Sequence, residues 1–311
     1  MRTLITGGAG FIGSHLADRL LERGDSVLVV DNFATGKREN LSSHPQLDLV
    51  EGTIADEGLV NSLFDRFRPD RVVHAAAAYK DPDDWTEDVR TNALGTAHIV
   101  NASKAAEVKR LIYFQTALCY GLFPKQQPIA LDHPLYPESS YAISKTAGEQ
   151  YIQLADIDYI SFRLANAYGP RNVSGPLPTF YDRLTAGKKC FVMDTRRDFI
   201  YIDDLVALVL MALDGQGDAG VYHASSGSDY SIKELFDLTV EALGITLDEP
   251  VEERPRGEDD AYTILIDPSK TVETYGWRPA TALSAGVPQT VEWYEKRGIG
   301  ETYTHLKQIE E

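Results

Sequence analysis

Residues 4–32 read "LITGGAGFIGSHLADRLLERGDSVLVVDN", and the architecture of the chain turns on how this stretch is understood. Leu4 and Ile5 close a short apolar strand, and Gly7, Gly8 and Gly10 follow at once. Ile12, Leu16 and Leu20 then recur at i, i+4 and i+8, one face of a helix. A second apolar run, Val27 to Val30, ends in Asp31. Gly7, Gly10 and Gly13 spell GxxGxxG. The first two are expected to let the backbone turn tightly and approach a pyrophosphate, and Gly13 to let the helix lie close to the strand. Phosphates would sit at the helix N-terminus, where unpaired N–H groups and the dipole favour anions. Asp31 stands where a carboxylate accepts the ribose hydroxyls of an adenosine. Glycines alone occur in many βαβ starts. Strand, glycines, helix, strand and terminal acid in this order point to dinucleotide binding.

The rest of the composition narrows the possibilities. The chain has 311 residues, 43% of them hydrophobic, enough for one large or two modest domains. No run of apolar residues is long enough to span a membrane. The first strand is expected to begin at about residue 2, which leaves no room for a signal peptide. Two cysteines, Cys119 and Cys190, make no disulfide framework, and the expected compartment is the cytoplasm. The net charge of −17 argues against nucleic acid or an anionic membrane as partner. A phosphorylated small molecule needs only a local basic cluster.

The first half alternates strand and helix. Strands are expected at Asp48–Val50, Arg71–His74, Arg110–Gln115 and 158–164, and helices at Leu59–Phe67, along Val89, Ala93, Ala97 and Val100, and at 138–156. Such alternation implies an α/β, doubly wound parallel sheet covered on both faces, with a smaller C-terminal domain. The expected division is 1–165 for the dinucleotide, with 198–224 returning to it, and 166–311 mainly for the substrate. "NAYGPRNVSGPLP" (166–178) reads as loop. "SIKELFDLTVEAL" (231–243) reads as helix with a Ser231/Glu234 capping box, "RPRGEDD" (254–260) as charged loop, and "VPQTVEWYEKR" (287–297) as the last helix.

Tyr141 and Lys145 occur in "YAISK", and residues four apart share a helix face. A phenol with a pKa near ~10 is a poor base at neutral pH, but a neighbouring ammonium favours the phenolate. "TALCYG" (116–121) follows a parallel strand at its carboxyl end, where such sheets bind ligands. Thr116 would place a hydroxyl there. The seven histidines show no metal-ligand spacing, no metal is expected, and His74 at a strand end reads as packed.

With these motifs the chain resembles the extended short-chain dehydrogenases/reductases, specifically the NAD-dependent sugar-nucleotide epimerases and dehydratases. The resemblance runs through "TGGAGFIG", "DN" (31–32), "VVHAAA" (72–77), "TNALGT" (91–96), "YAISK", "RLANAYGPR" (163–171), "RRDFIYIDD" (196–204) and "YGWRPAT" (275–281). It implies a Rossmann fold, a bound NAD and a nucleotide-sugar substrate, UDP-linked. Thr116, Tyr141 and Lys145 match the catalytic triad. Gly7, Gly10, Phe11, Ile12 and Gly13 match the pyrophosphate loop, and Asp31 and Asn32 the residues on the adenosine ribose. Ile54, Ala75, Ala76 and Asn92 match positions lining the cofactor. Asn166 and Arg197 match groups that hold the diphosphate, and Phe191 an aromatic beside the base. One further arginine is implied near "RPRGED". Spacing leaves Arg254 and Arg256 both open, with Arg256 the expected ligand. A homodimer is implied too, through the helices around 89–107 and 138–156, where Ala93, Ala97 and Ala147 permit close packing.

There are departures. The family often carries an acid after the glycine of the third strand, and here Thr53 follows Gly52. "KKCFVMDTRRDF" looks shortened before Arg197, and Tyr79 and Lys80 differ from the family where the sugar would lie. Members that eliminate water from the sugar carry Asp-Glu directly after the active-site threonine. Here those positions are Ala117 and Leu118, which cannot act as general acid or base. That disfavours dehydration and decarboxylation and leaves redox-neutral inversion intact; the resemblance implies inversion at C4 of a UDP-hexose or UDP-hexuronic acid by way of a transient 4-keto sugar. A dehydratase, a 4-keto-sugar reductase and a non-catalytic dinucleotide-binding scaffold are the alternatives. Cys119, three residues from Thr116, reads as a small buried hydrophobe, with a nucleophile or acid as the other reading. Asp31 would repel the 2′-phosphate of NADP; Lys37 and Arg38 are the residues that would overturn that preference.

Overall fold

The structure, a computed structural model, describes residues 1–257 and 260–303. Seven strands form its central sheet: β1 (Arg2–Thr6), β2 (Ser26–Asp31), β3 (Leu47–Glu51), β4 (Arg71–His74), β5 (Arg110–Thr116), β6 (Tyr159–Leu164) and β7 (Gly220–Ala224). Their order is β7-β6-β5-β4-β1-β2-β3, and every pairing is parallel, with Leu4 opposite Leu28 of β2 and Val72 of β4. The strands are apolar on both faces because both are covered. Val27 and Val29 of β2 enter the core shared with α1 (Phe11–Glu22). Leu28 and Val30, pointing the other way, enter the core shared with α2 (Glu57–Phe67) and α3 (Thr96–Ala105). Chain order reverses between β1 and β4, so a crevice opens at their carboxyl ends. Gly220–Ala224 returns to this sheet late in the chain, at its edge beside β6.

Two expectations need correction. The periodicity through Val89, Ala93, Ala97 and Val100 predicts one unbroken helix, but Val89–Gly95 is wound as a π-helix before α3 begins. Side-chain bonding accounts for it: Asn92 accepts from the Ala78 N–H (2.9 Å) and donates to the Ala78 carbonyl (2.9 Å), which turns Asn92 inward. π-Turns of this kind gather at functional sites. The stretch 166–178 is not all loop. Asn166–Tyr168 pairs with Phe199–Tyr201 as a parallel ribbon, and a helix over Pro176–Thr185 starts within it. Both prolines of that helix, Pro176 and Pro178, occupy its first turn, where a missing N–H costs nothing.

α4 (Ser140–Leu154) precedes β6, and beyond β6 the chain builds the smaller part on short ribbons and on α5, the helix Pro176–Thr185. Arg196–Arg197 pairs with Tyr230–Ser231, and Phe191–Met193 with Glu252–Arg254. Helix Ile232–Leu243 carries the expected capping box of Ser231 and Glu234. α6 (Ile202–Leu213) buries Leu205, Leu208 and Val209 completely. Its Asp204 carboxylate accepts from the backbone of Ala280 (3.0 Å) and Thr281 (2.9 Å), tying the segment before the last helix to α6.

Candidate active site

A cavity of about 1260 Å³ lies along the carboxyl ends of the strands. The glycine turn makes its first wall. Gly7 has φ +65°, a conformation open to glycine. A Cβ there would lie 2.7 Å from both Cα and N of Ala76, so the β1 and β4 turns meet backbone to backbone. At Gly13 a Cβ would overlap the Gly7 carbonyl oxygen, which confirms close packing of α1 on the turn. Gly7, Gly10, Phe11, Ile12 and Gly13 all face the cavity.

Asp31, nearly buried, ends β2 at one end of the cavity. Its carboxylate accepts from the N–H groups of Ala9 (2.9 Å) and Phe33 (2.8 Å), tying the glycine turn to β2. Burial raises its pKa against those bonds. Asn32, Ile54, Ala75 and Ala76 line the same wall. Thr53 lines it as well, its hydroxyl accepting from the Ala55 N–H (3.2 Å). Lys37 donates to the Ile299 carbonyl (2.8 Å), while Arg38 pairs with Glu51 (3.2 Å) and stacks 4.7 Å from the Phe33 ring. Both cations are thus engaged. The cradle therefore fits a dinucleotide: backbone N–H groups at a helix start and a carboxylate for a ribose.

At the other end stand Thr116, Tyr141 and Lys145. Thr116 ends β5 and its hydroxyl oxygen accepts from the Leu118 N–H (3.1 Å), leaving its own proton to donate. Ser139 caps α4 by accepting from Ala142 N–H (3.2 Å), and α4 carries Tyr141 and Lys145 one turn apart. Lys145 is 2% exposed, its ammonium 4.0 Å from the centre of the Tyr113 ring. Burial lowers its pKa to about 7, against the pull of Glu149. Burial also raises the Tyr141 phenol, with Tyr79 and Asp88 adding to the shift. A full positive charge close by would reverse that balance.

Glu149 itself is fully buried and bonded to Arg163 (2.7 Å) and Ser161 (2.6 Å). Arg163 reaches Tyr120 (2.7 Å), whose hydroxyl meets His223 (2.6 Å). This network locks α4 against β6 and β7. Cys119 lies beside it at 0% exposure and does not line the cavity; burial pushes its thiol to about 12. His74 is packed between Thr6 (2.7 Å) and Thr96 (2.8 Å).

The expected substrate residues divide. Asn166 and Arg197 line the cavity. Asn166 donates to the Asp198 carbonyl (3.2 Å). Arg197 is paired with the Asp260 carboxylate and donates to the Ala261 carbonyl (2.9 Å). Three expected residues fall outside the lining. Asn92, 1% exposed, is bonded to Ala78 (2.9 Å) and Ser144 (3.1 Å). Phe191 sits under Arg254, whose guanidinium lies 3.9 Å from the ring centre. Arg256 donates to the Asp260 carbonyl (2.6 Å) and lies 5.5 Å from the Phe123 ring. The cavity also gathers residues that sequence reasoning did not assign: Asp260, the buried Asp88, and Tyr303. Their partners are distant in the chain, so no local spacing announces them.

A parallel sheet with a glycine cradle at its switch point and a Thr–Tyr–Lys set at the far end of the same cavity defines a dinucleotide-dependent enzyme of the short-chain dehydrogenase/reductase class. The sequence profile of the NAD dependent epimerase/dehydratase family matches residues 3–224, and the chain belongs to that family. The Bordetella bronchiseptica enzyme WbmH, solved in complex with NAD+, is 52% identical, with a TM-score of 0.92 over 96% of this chain and 99% of that one. WbmG of the same organism, solved with NAD and UDP, is 47% identical, with a TM-score of 0.92 over 99% of each chain. The UDP-glucose 4-epimerase of Mycolicibacterium smegmatis is 33% identical over 96% of this chain and 99% of that enzyme. The protein is an NAD-dependent enzyme. No helix among the described residues is long and apolar enough to cross a membrane.

Proposed function

We propose that the enzyme inverts C4 of a UDP-linked hexose or hexuronic acid by transient oxidation, acting as a cytoplasmic homodimer in the assembly of polysaccharide. The cradle from Gly7 to Asp31 would hold NAD, which would supply a reversible hydride acceptor. The chain's own residues do the rest. Tyr141 removes the proton of the 4-hydroxyl at its phenolic oxygen, and Lys145 favours the phenolate. Thr116 donates to the same substrate oxygen. Arg197, oriented by Asp260, and Asn166 hold the diphosphate so that the 4-keto ring can turn and present its other face. Tyr141 then returns the proton. Holding the reacting carbon in place contributes a large part of the rate.

The observation that carries this reading is the Thr116–Tyr141–Lys145 set lining one cavity while Ala117 and Leu118 occupy the next two positions. Of the carboxyls nearby, Glu138 accepts from the Leu122 N–H (2.7 Å) and Asp88 is bonded to Ser140. UDP as the nucleotide is supported by the WbmG complex. Dimerisation is supported by an apolar surface on the helices expected to pair: Val89, Leu94, Ile143, Tyr151 and Leu154 are all exposed, Leu154 at 80%. The test is incubation with a panel of UDP-sugars and resolution of the products by NMR. Epimers should appear without net accumulation of reduced cofactor. A 4-keto-6-deoxy product, or stoichiometric consumption of reduced cofactor, would overturn the proposal.

A further inference from the structure

The segment Ile299–Tyr303 reaches the cavity wall at Tyr303 and is tethered to three separate parts of the fold. Ile299, nearly buried, receives the Lys37 ammonium on its carbonyl (2.8 Å). Gly300 turns at φ +71°, and a Cβ there would come within 2.6 Å of that same ammonium. Glu301 pairs with Lys80 (3.1 Å). Tyr303 ends the segment: its N–H donates to the Val173 carbonyl (3.1 Å) and its carbonyl accepts from Gly175 N–H (3.0 Å). The Tyr303 ring lines the cavity, 6.4 Å from the Tyr79 ring, which is itself 6.4 Å from the ring of Tyr141. Tyr79 hydrogen-bonds Thr35, and the Tyr303 hydroxyl points at the Thr35 carbonyl (3.4 Å). The strap thus joins the loop after β2, the loop after β4 and the loop before α5.

We propose that Tyr303, resting on Tyr79, is a cofactor-retaining residue: the strap closes the cavity between its Asp31 end and its Tyr141 end and slows escape of the dinucleotide. The proposal rests on the NAD dependence of the family and not on the choice of sugar. Its chemistry suits the reading above, because a cofactor that must give back its hydride gains from being held through the whole cycle. The ring, not the hydroxyl, does most of the holding, since the bond to Thr35 is long.

The test uses the full-length protein as purified. Bound nucleotide is counted after gel filtration and denaturation, and its exchange with excess labelled NAD is timed. Tyr303→Ala should exchange roughly tenfold faster, equivalent to about 1.4 kcal/mol, and lose nucleotide on the column. Tyr303→Phe should retain it like the parent. Lys37→Ala, which frees only the Ile299 carbonyl, should shift exchange in the same direction by less, and it decides the matter if Tyr303→Ala does not fold. Parent-like exchange in both alanine variants would overturn the proposal. A parent protein that retains NAD yet leaves every UDP-sugar unchanged would sink the epimerase reading and leave the strap standing.

Discussion

Replacing Gly7 by alanine tests how the cradle is built, because the structure supplies a matched control. Gly24, between α1 and β2, also has positive φ (+85°), but a Cβ placed on it would meet no atom within 4 Å. Gly24→Ala therefore incurs only left-handed strain, about 1–2 kcal/mol, partly offset by about 0.4–1 kcal/mol from a stiffer unfolded chain. Gly7→Ala incurs the same strain and a collision. Its Cβ would lie 2.7 Å from Ala76 Cα and N and 2.9 Å from the Ala75 carbonyl carbon, where unstrained carbon contacts need roughly 3.5–4.0 Å. Neither side can yield easily. Gly7 N–H is bonded to the Val30 carbonyl (2.8 Å), while Ala75 and Ala76 N–H are bonded to the Thr6 carbonyl and hydroxyl (3.1 Å each). Overpacking of this kind costs about 1–3 kcal/mol. Gly7→Ala should thus be less stable than Gly24→Ala by about 1–3 kcal/mol, read from denaturant midpoints at equal slope. It should also purify with little NAD, whereas Gly24→Ala keeps its full complement. If the two variants were equally stable and equally loaded, the backbone-to-backbone cradle would be the wrong account of this turn.

Tyr141→Phe should keep the fold and the bound NAD yet lower turnover by about 10²–10⁴-fold, since it removes the proton-transferring hydroxyl. Thr116→Val should be milder. Cys119→Ala should be milder still, because the thiol is buried outside the cavity; a loss as large as that of Tyr141→Phe would make the thiol a chemical participant. Stability should fall as pH drops from about 6.5 toward about 3, because folded His74 stays neutral with its pKa lowered to about 3 while the unfolded residue takes up a proton. In His74→Gln that dependence should be shallower by up to one proton, about 1.4 kcal/mol per pH unit; an unchanged slope counts against it, His223 serving as background in both proteins. Leu154→Asp should leave a folded monomer in light scattering at micromolar concentration, and a persistent dimer would move the interface elsewhere.

Much of the first 165 residues was legible because the signals are local. An apolar run closed by glycines, a 3.6-residue periodicity and a terminal acid each depend on neighbours in sequence, and they placed β1, α1, β2 and Asp31 as the structure has them. YxxxK was legible for the same reason: α-helix geometry alone puts Tyr141 and Lys145 on one face. Local rules failed where a distant partner decided the outcome. The helix expected through Val89–Gly95 gave way to a π-turn because Asn92 bonds Ala78. The glycine- and proline-rich stretch after residue 165 yielded a strand because Phe199–Tyr201 lies beside it.

Residue type and short spacing were enough for the fold class, for the glycine turn before α1 and for the helix that carries Tyr141 and Lys145. Only the folded chain shows that Asp260 holds Arg197, that Arg254 covers Phe191, and that Tyr303 reaches Tyr79 across more than two hundred residues of chain. Those contacts arise from loops brought together by the sheet. Their free energy depends on the distance and burial of groups remote in sequence, and no periodicity in the chain records it.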